Sequence, residues 1–120
     1  VNKKTNIIPN KGYGAKYGTS NELKGALPDV ILDKNEMIDS IQSFVKQNKM
    51  KVLFYCAPFC KENQNQNFTT KLQAKIPELH DFSRVLNDDK MFLNCNHLND
   101  VGARRFTEIV AERLLINKTR

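Results

Sequence analysis

Residues 51–58 have the sequence KVLFYCAP, a nearly continuous apolar run that ends at a proline. A run of this length without polar alternation is typical of a strand that is buried on both faces of a parallel sheet. Before it, apolar side chains recur at helical spacing over residues 35–48, which predicts an amphipathic helix capped by Asp33 or Asn35. A helix that leads into a buried strand, here Lys51–Ala57, indicates a layered α/β fold.

The chain continues this alternation after Pro58. A weaker helix is predicted over Thr69–Ile76, and a short strand over Leu79–Ser83. Asn99 or Asp100 then caps a strong closing helix. The apolar face of that helix is predicted to consist of Phe106, Ile109, Val110, Leu114 and Leu115. Two strands are few for an open parallel sheet, so we expect uncovered strand edges.

Residues 1–33 differ from the rest of the chain in composition. They contain four of the five glycines and two of the four prolines, and they sustain neither a helical nor a strand period. We therefore predict an irregular arm over residues 1–33, followed by one α/β domain over residues 34–120. A structureless stretch of this length is uncommon inside a compact domain, so the arm is expected to pack against the rest of the chain.

The charge and the apolar content exclude several classes of function. Nineteen Lys and Arg against thirteen Asp and Glu give a net charge of +6, but the basic residues are scattered. They form no RNA-binding or zinc-finger pattern, so we predict a solvated basic surface and no nucleic-acid partner. No apolar run approaches the roughly 18 residues that a membrane helix needs, so no membrane span is expected. The first residues lack the apolar core of a signal peptide, and any such peptide would precede Val1.

Three cysteines leave the thiol chemistry open. They are Cys56, Cys60 and Cys95, too few for a disulfide scaffold. One possibility is a disulfide between Cys60 and Cys95. Another is a zinc site in which the three thiolates and His97 supply four ligands, although these spacings are looser than those of known zinc motifs. Cys56 lies inside the apolar run, which favours a buried core thiol.

The most specific stretch is residues 91–107, with the sequence MFLNCNHLNDVGARRFT. It places His97 between a strand-like run and the start of the closing helix. Sheets of α/β proteins present functional groups there, beyond the carboxyl ends of their strands. A loop histidine in this position can act as a general base if an acceptor orients its second ring nitrogen. The alternative is a histidine that only hydrogen-bonds the start of the helix.

This stretch resembles the last conserved block of the SGNH (GDSL-type) hydrolases through the pattern Asn94-x-x-His97-Leu98-Asn99-x-x-Gly102-Ala103-x-x-Phe106-Thr107. The resemblance implies a flavodoxin-like three-layer α/β/α fold and an esterase, acyl hydrolase or carbohydrate O-acetyl transferase. It implies that His97 is the general base and that Asn94 stands where the family has an Asp. It covers about residues 10–116, which correspond to the C-terminal half of the family domain. It further implies an acylated carbohydrate substrate, a periplasmic or extracellular location and no cofactor.

Two features depart from the family pattern. The blocks that carry the nucleophilic serine and the oxyanion hole are absent, so a missing N-terminal half is expected to supply them. Ser20 lies in a Gly-Thr-Ser sequence similar to the serine block, but it follows no apolar strand and is not expected to be the nucleophile. Asn94 replaces a carboxylate that stabilises the imidazolium, and an amide can favour the wrong histidine tautomer. The isolated chain is therefore expected to be inactive.

The short sheet suggests a second class of function. A non-catalytic binding or assembly module of the same fold would pair its exposed strand edge with another chain. We therefore expect the partner at the sheet edge to be either the missing half or a second copy of this chain.

Overall fold

The computed structural model describes residues 13–115 as a mixed α/β protein with short strands. The helices are α1 (Glu36–Gln47), α2 (Phe68–Lys75) and α3 (Asp100–Val110). The strands are β1 (Gly25–Ala26), β2 (Tyr55–Cys56), β3 (Asn63–Gln64), β4 (His80–Asp81), β5 (Phe92–Asn94) and β6 (His97–Leu98). A 3-10 turn (Asp89–Met91) precedes β5, and a π-helical turn (Ala111–Leu115) extends α3. None of the helices in this part of the chain is long and apolar enough to cross a membrane.

The strands β2 and β4 form a parallel pair in which Tyr55 lies opposite His80. This confirms that the two strands predicted from the sequence are neighbours in a parallel arrangement. Each paired segment is only two residues long, shorter than the predicted strands Lys51–Ala57 and Leu79–Ser83. Within residues 13–115, β2 has no second neighbouring strand to extend its hydrogen-bonded length.

The prediction that the first strand is buried on both faces is wrong. Leu53 and Tyr55 remain 39% and 49% exposed. Packing on this face comes from α3, whose Phe106 ring lies 5.8 Å from the Tyr55 ring and 5.7 Å from the Phe82 ring, between centroids. The apolar run therefore has the composition of a central strand but the surroundings of an edge strand.

The helix α1 lies on the opposite side of β2. Val52 and Phe54, which alternate with Leu53 and Tyr55 along the chain, line a shallow groove together with Val45 of α1. No residue of α1 is buried, although the helix has the predicted amphipathic pattern. Helices thus flank both faces of the parallel pair, but α1 covers its face incompletely.

The buried core is centred on α3 and the chain segments beneath it. Its members are Cys60, Phe82, Leu86, Phe92, Cys95, Phe106, Ile109 and Leu114. Phe106, Ile109 and Leu114 confirm the predicted apolar face of the closing helix, and Val110 packs partly buried against it. The side chain of Leu115 lies outside the described residues.

The helix caps settle two choices that the sequence leaves open. Asn35, rather than Asp33, caps α1, because its side chain accepts hydrogen bonds from the first-turn backbone amides. Asn99, rather than Asp100, caps α3, and its side-chain oxygen accepts from Gly102 N–H over 3.0 Å. The second helix begins one residue before the predicted Thr69 and ends at Lys75, just before Ile76 and Pro77.

The described part of the arm packs against the domain, as expected. Its backbone follows β5 and the start of α3, where Ser20 N–H donates to the Leu93 carbonyl over 2.9 Å and Asp100 N–H donates to the Lys16 carbonyl over 2.7 Å. The arm is not wholly irregular, because it contains β1, which pairs in parallel with β3. Residues 1–12 of the predicted arm lie outside the described residues.

Candidate catalytic histidine and its hairpin

The strands β5 and β6 form a tight antiparallel hairpin just before α3. Asn94 lies directly opposite His97, and the register shifts between Phe92 and Asn94. Cys95 and Asn96 are the two central residues of the turn. The structure therefore brings together Asn94 and His97, the two site residues predicted from the sequence.

The side-chain oxygen of Asn94 is the acceptor that orients His97. Asn94 Oδ1 lies 2.9 Å from His97 Nδ1, and it also accepts a hydrogen bond from Asn96 N–H over 3.0 Å. Because a backbone N–H can only donate, this contact assigns the oxygen, not the amide nitrogen, to the side that faces the imidazole. His97 Nδ1 consequently carries the proton, and Nε2 presents a lone pair.

This arrangement corrects the expectation that an amide at position 94 favours the wrong tautomer. Asn94 holds the neutral imidazole in the tautomer that a general base needs. The His97 residue is exposed, and Nε2 is the ring nitrogen that the Asn94 contact leaves free. What Asn94 does not supply is a negative charge, which would stabilise the imidazolium once the ring has taken a proton.

Cys60 and Cys95 form a disulfide, which settles the main alternative for the thiols. Their Cα atoms are 4.6 Å apart, both residues are 1% exposed, and Cys60 N–H also donates to the Cys95 carbonyl over 3.1 Å. The zinc alternative is wrong, because two of its four proposed ligands have joined their sulfurs to each other. Among residues 13–115, no cluster of three or more His, Cys, Asp or Glu side chains is placed to hold a metal ion.

Cys56 keeps a free thiol at the end of β2. It is half-buried, not fully buried as predicted. Burial raises the pKa of this thiol, and the nearby Asp81 carboxylate raises it further. At neutral pH the protonated form dominates, so Cys56 has the character of a packing residue and not of an activated nucleophile.

Asp81 lies in a polar cluster at the end of β4. Its burial acts to raise its pKa, but hydrogen bonds from Ser83 and Thr69 and the charge of Arg84 outweigh burial, so the pKa is lowered. The Ser83 backbone N–H donates to Asp81 Oδ1 over 2.9 Å, and Thr69 is almost fully buried beside it. The carboxylate therefore stays charged and serves to hold the loop after β4.

Asn63 is a site residue that the sequence analysis missed. It lies in β3 within a run of alternating Asn and Gln, and only 4% of it is exposed. Its Nδ2 donates to Asn96 Oδ1 over 2.8 Å. Nothing in the local pattern distinguishes Asn63 from its neighbours, because its partner is 33 residues away in the chain.

The structure does not pair Ser20 with His97. The Ser20 hydroxyl donates to the Glu22 carbonyl over 3.1 Å, and its backbone lies along the outer edge of β5. Within residues 13–115, His97 makes no hydrogen bond to a serine hydroxyl. The described site therefore holds an oriented imidazole that no serine hydroxyl among residues 13–115 contacts.

No family model, curated protein or solved structure matches this chain. An exposed imidazole with a protonated Nδ1 and an accessible Nε2 can accept a proton from a hydroxyl, a thiol or water.

Proposed function

We propose that this chain supplies the general base of an SGNH-like esterase, acyl hydrolase or O-acetyl transferase. The observation that carries the proposal is the orientation of His97 by Asn94 Oδ1, which leaves Nε2 open. A three-residue spacing between the base and its orienting group is the one that the family resemblance implies. The chain would act together with a segment that provides a serine nucleophile and an oxyanion hole.

In the proposed reaction, His97 Nε2 removes the proton of that serine as its oxygen attacks the carbonyl carbon of an ester. The proton then passes from Nε2 to the departing alcohol, and water or a second alcohol releases the acyl group by the reverse steps. Asn94 keeps Nδ1–H in place throughout. Because Asn94 is neutral, it stabilises the imidazolium less than a carboxylate would, so we expect slow turnover. The substrate class that the family resemblance implies is an acylated carbohydrate.

The arrangement of elements supports the finer fold proposal, a partial flavodoxin-like α/β/α domain. The parallel pair β2–β4 has a helix on each face, and His97 follows β5 immediately before α3. The carbonyl of Phe54 accepts from His80 N–H and that of Cys56 from Phe82 N–H. Backbone groups alternate in direction along a strand, so the intervening Tyr55 carbonyl points to the other edge, where further strands would add.

The test is hydrolysis of a short-chain acyl ester by the protein purified under native conditions, together with whatever chain completes its sheet. His97→Ala is compared with His80→Ala, since these are the two histidines of the chain. We expect His97→Ala to abolish the activity and His80→Ala to retain most of it. Measurable activity that is equal in the two variants would remove His97 from the mechanism.

A second candidate, a non-catalytic assembly module, is favoured by the exposed side chains next to the open edge of β2. Leu53 and Tyr55 place apolar surface beside backbone groups that have no strand partner among the described residues. Light scattering measures whether the chain assembles through this edge. Leu53→Lys should lower the mass of the wild-type assembly, and the control Val30→Lys, in the loop before α1, should not. A monomeric wild type whose β2 amides resist hydrogen exchange would contradict this candidate.

A further inference from the structure

One side of the hairpin turn is fixed to a distant segment, residues 60–63. The disulfide joins Cys95 to Cys60, and the Cys95 carbonyl accepts a hydrogen bond from Cys60 N–H over 3.1 Å. The segment turns on itself directly afterwards, since Asn63 N–H donates to the Cys60 carbonyl over 3.2 Å. Cys95, the first central residue of the turn, is thus held both by the disulfide and by a backbone hydrogen bond.

Asn63 holds the second central residue of the turn. Its Nδ2 donates to Asn96 Oδ1, while its own Oδ1 is buried and has no hydrogen-bond partner among the described residues. Gly25 closes the space behind it, because a Cβ added there would lie 3.0 Å from Asn63 Oδ1 and 2.8 Å from Cys95 Cβ. Within residues 13–115, the bond to Asn96 is therefore the contact that orients the Asn63 amide.

We propose that Asn63 and the Cys60–Cys95 disulfide are positioning residues that set the tautomer of His97. The proposal deepens the proposed role of His97 as a base and rests on it, but the tautomer can be measured without a substrate. The two central residues of the turn are held by residues 60–63, and the two outer residues, Asn94 and His97, face each other as a result.

The link between Asn63 and the imidazole runs through the Asn96 backbone N–H. That N–H is the donor that assigns Oδ1 of Asn94 to the side facing His97. When Asn96 is no longer held, its N–H can turn away, and the Asn94 amide can rotate by half a turn. The amide nitrogen then donates to His97 Nδ1, the ring proton moves to Nε2, and the nitrogen that would accept the serine proton is blocked.

The experiment reads the imidazole directly, by ¹⁵N NMR of the full-length chain at a pH where the ring is neutral. In the wild type we expect the Nδ1–H tautomer of His97. Asn96→Ala removes the acceptor of the Asn63 bond at its exposed end and is expected to make Nε2–H the major form. Asn96→Asp keeps an acceptor oxygen for Asn63 Nδ2 and is expected to restore Nδ1–H.

Two more variants test the positioning role, and a third separates it from general stability. Asn63→Ala and the double variant Cys60→Ala/Cys95→Ala should shift the tautomer in the same direction as Asn96→Ala. Asn65→Gly is the control, because it deletes another part-buried hydrogen bond donated by an asparagine Nδ2, here to the Leu27 backbone carbonyl, at a residue whose φ of 59° suits glycine. It should lower stability and leave Nδ1–H unchanged.

The outcomes are distinct. A wild-type Nε2–H tautomer, or Nδ1–H retained in folded Asn96→Ala, would overturn the proposal. Because Asn96 is exposed, that variant should fold even where Asn63→Ala does not. A tautomer that shifts as expected in a protein without esterase activity would support the positioning role and contradict the proposed reaction.

Discussion

The carbonyl oxygen of Met91 occupies the space that a Cβ on Gly102 would need, in the first turn of α3. The same carbonyl accepts a hydrogen bond from Asn99 N–H over 3.1 Å, so it cannot easily move away. A Cβ at position 102 would overlap this oxygen and would also approach Leu98 Cδ2 to 3.1 Å. The absence of a side chain therefore lets α3 start close to the hairpin that carries His97.

Gly102→Ala is expected to destabilise the protein by about 3 kcal/mol, the upper part of the range for overpacking, because the obstacle is backbone and not a flexible side chain. Urea unfolding measures the effect. Gly14→Ala is the matched control, since nothing lies within 4 Å of its added Cβ, and it should change stability by less than about 1 kcal/mol. Similar unfolding midpoints for the two variants would contradict the close packing of α3 on Met91.

If the proposed esterase reaction is correct, Asn94→Asp should raise its turnover. A carboxylate keeps the acceptor for His97 Nδ1–H and adds the charge that stabilises the imidazolium. The reverse change in a serine protease lowers turnover about 10⁴-fold, which sets the upper limit of the gain. Ester hydrolysis is measured against Asn87→Asp, an exposed loop position. A turnover no higher than that of the wild type would mean that the imidazolium does not form in the slow step.

Loss of the disulfide should cost substantial stability. It closes a sequence separation of 35 residues, for which the chain-entropy model gives about 4 kcal/mol. We expect Cys60→Ala/Cys95→Ala to lower the urea midpoint strongly and to make it insensitive to reductant. Cys56→Ala, which removes a half-buried free thiol, should have a much smaller effect. A wild-type midpoint that does not change on full reduction would contradict a stabilising disulfide.

The stability of the protein should fall in acid partly through Asp81. Its pKa is lower in the folded chain than in the unfolded one, so its contribution is present above the unfolded pKa of about 3.9 and is lost as the pH falls through the folded pKa. Asp81→Asn should be less stable than the wild type at pH 7, and this difference should shrink towards pH 2.

Asp33→Asn is the control for this pH dependence. The pKa of Asp33 is also lowered, by its hydrogen bond and ion pair with Lys75, but the carboxylate is fully exposed. Water screens such a pair, so the variant should show almost no pH-dependent change in stability. Equal pH dependence for Asp81→Asn and Asp33→Asn would contradict the role assigned to Asp81.

Short-range patterns predicted much of the secondary structure. The helical spacing located α1 to within one residue at each end. The apolar run at Lys51–Ala57 located β2, and the separate segment Leu79–Ser83 located its parallel partner β4. The pair β1–β3 could not be predicted, because Gly25–Ala26 and Asn63–Gln64 form no apolar pattern. The residues of β5 were expected only as a strand-like run and His97 in a loop, but the structure places His97 in β6, paired with β5. The exposure of Tyr55 could not be predicted either, since the composition of a strand does not reveal how many neighbours it has.

The chemistry available at the hairpin follows from the local sequence, in which His97 comes three residues after Asn94, two after Cys95 and two before the helix cap Asn99. These are local relations, and a tight turn fulfils them over a few ångströms. The hydrogen bonds that orient Asn94 are local as well. The partner of Cys95 and the burial of Asn63 come from tertiary contacts. Both depend on residues 60–63 meeting residues 95–96, because contacts between segments more than 30 residues apart arise from packing and not from local spacing.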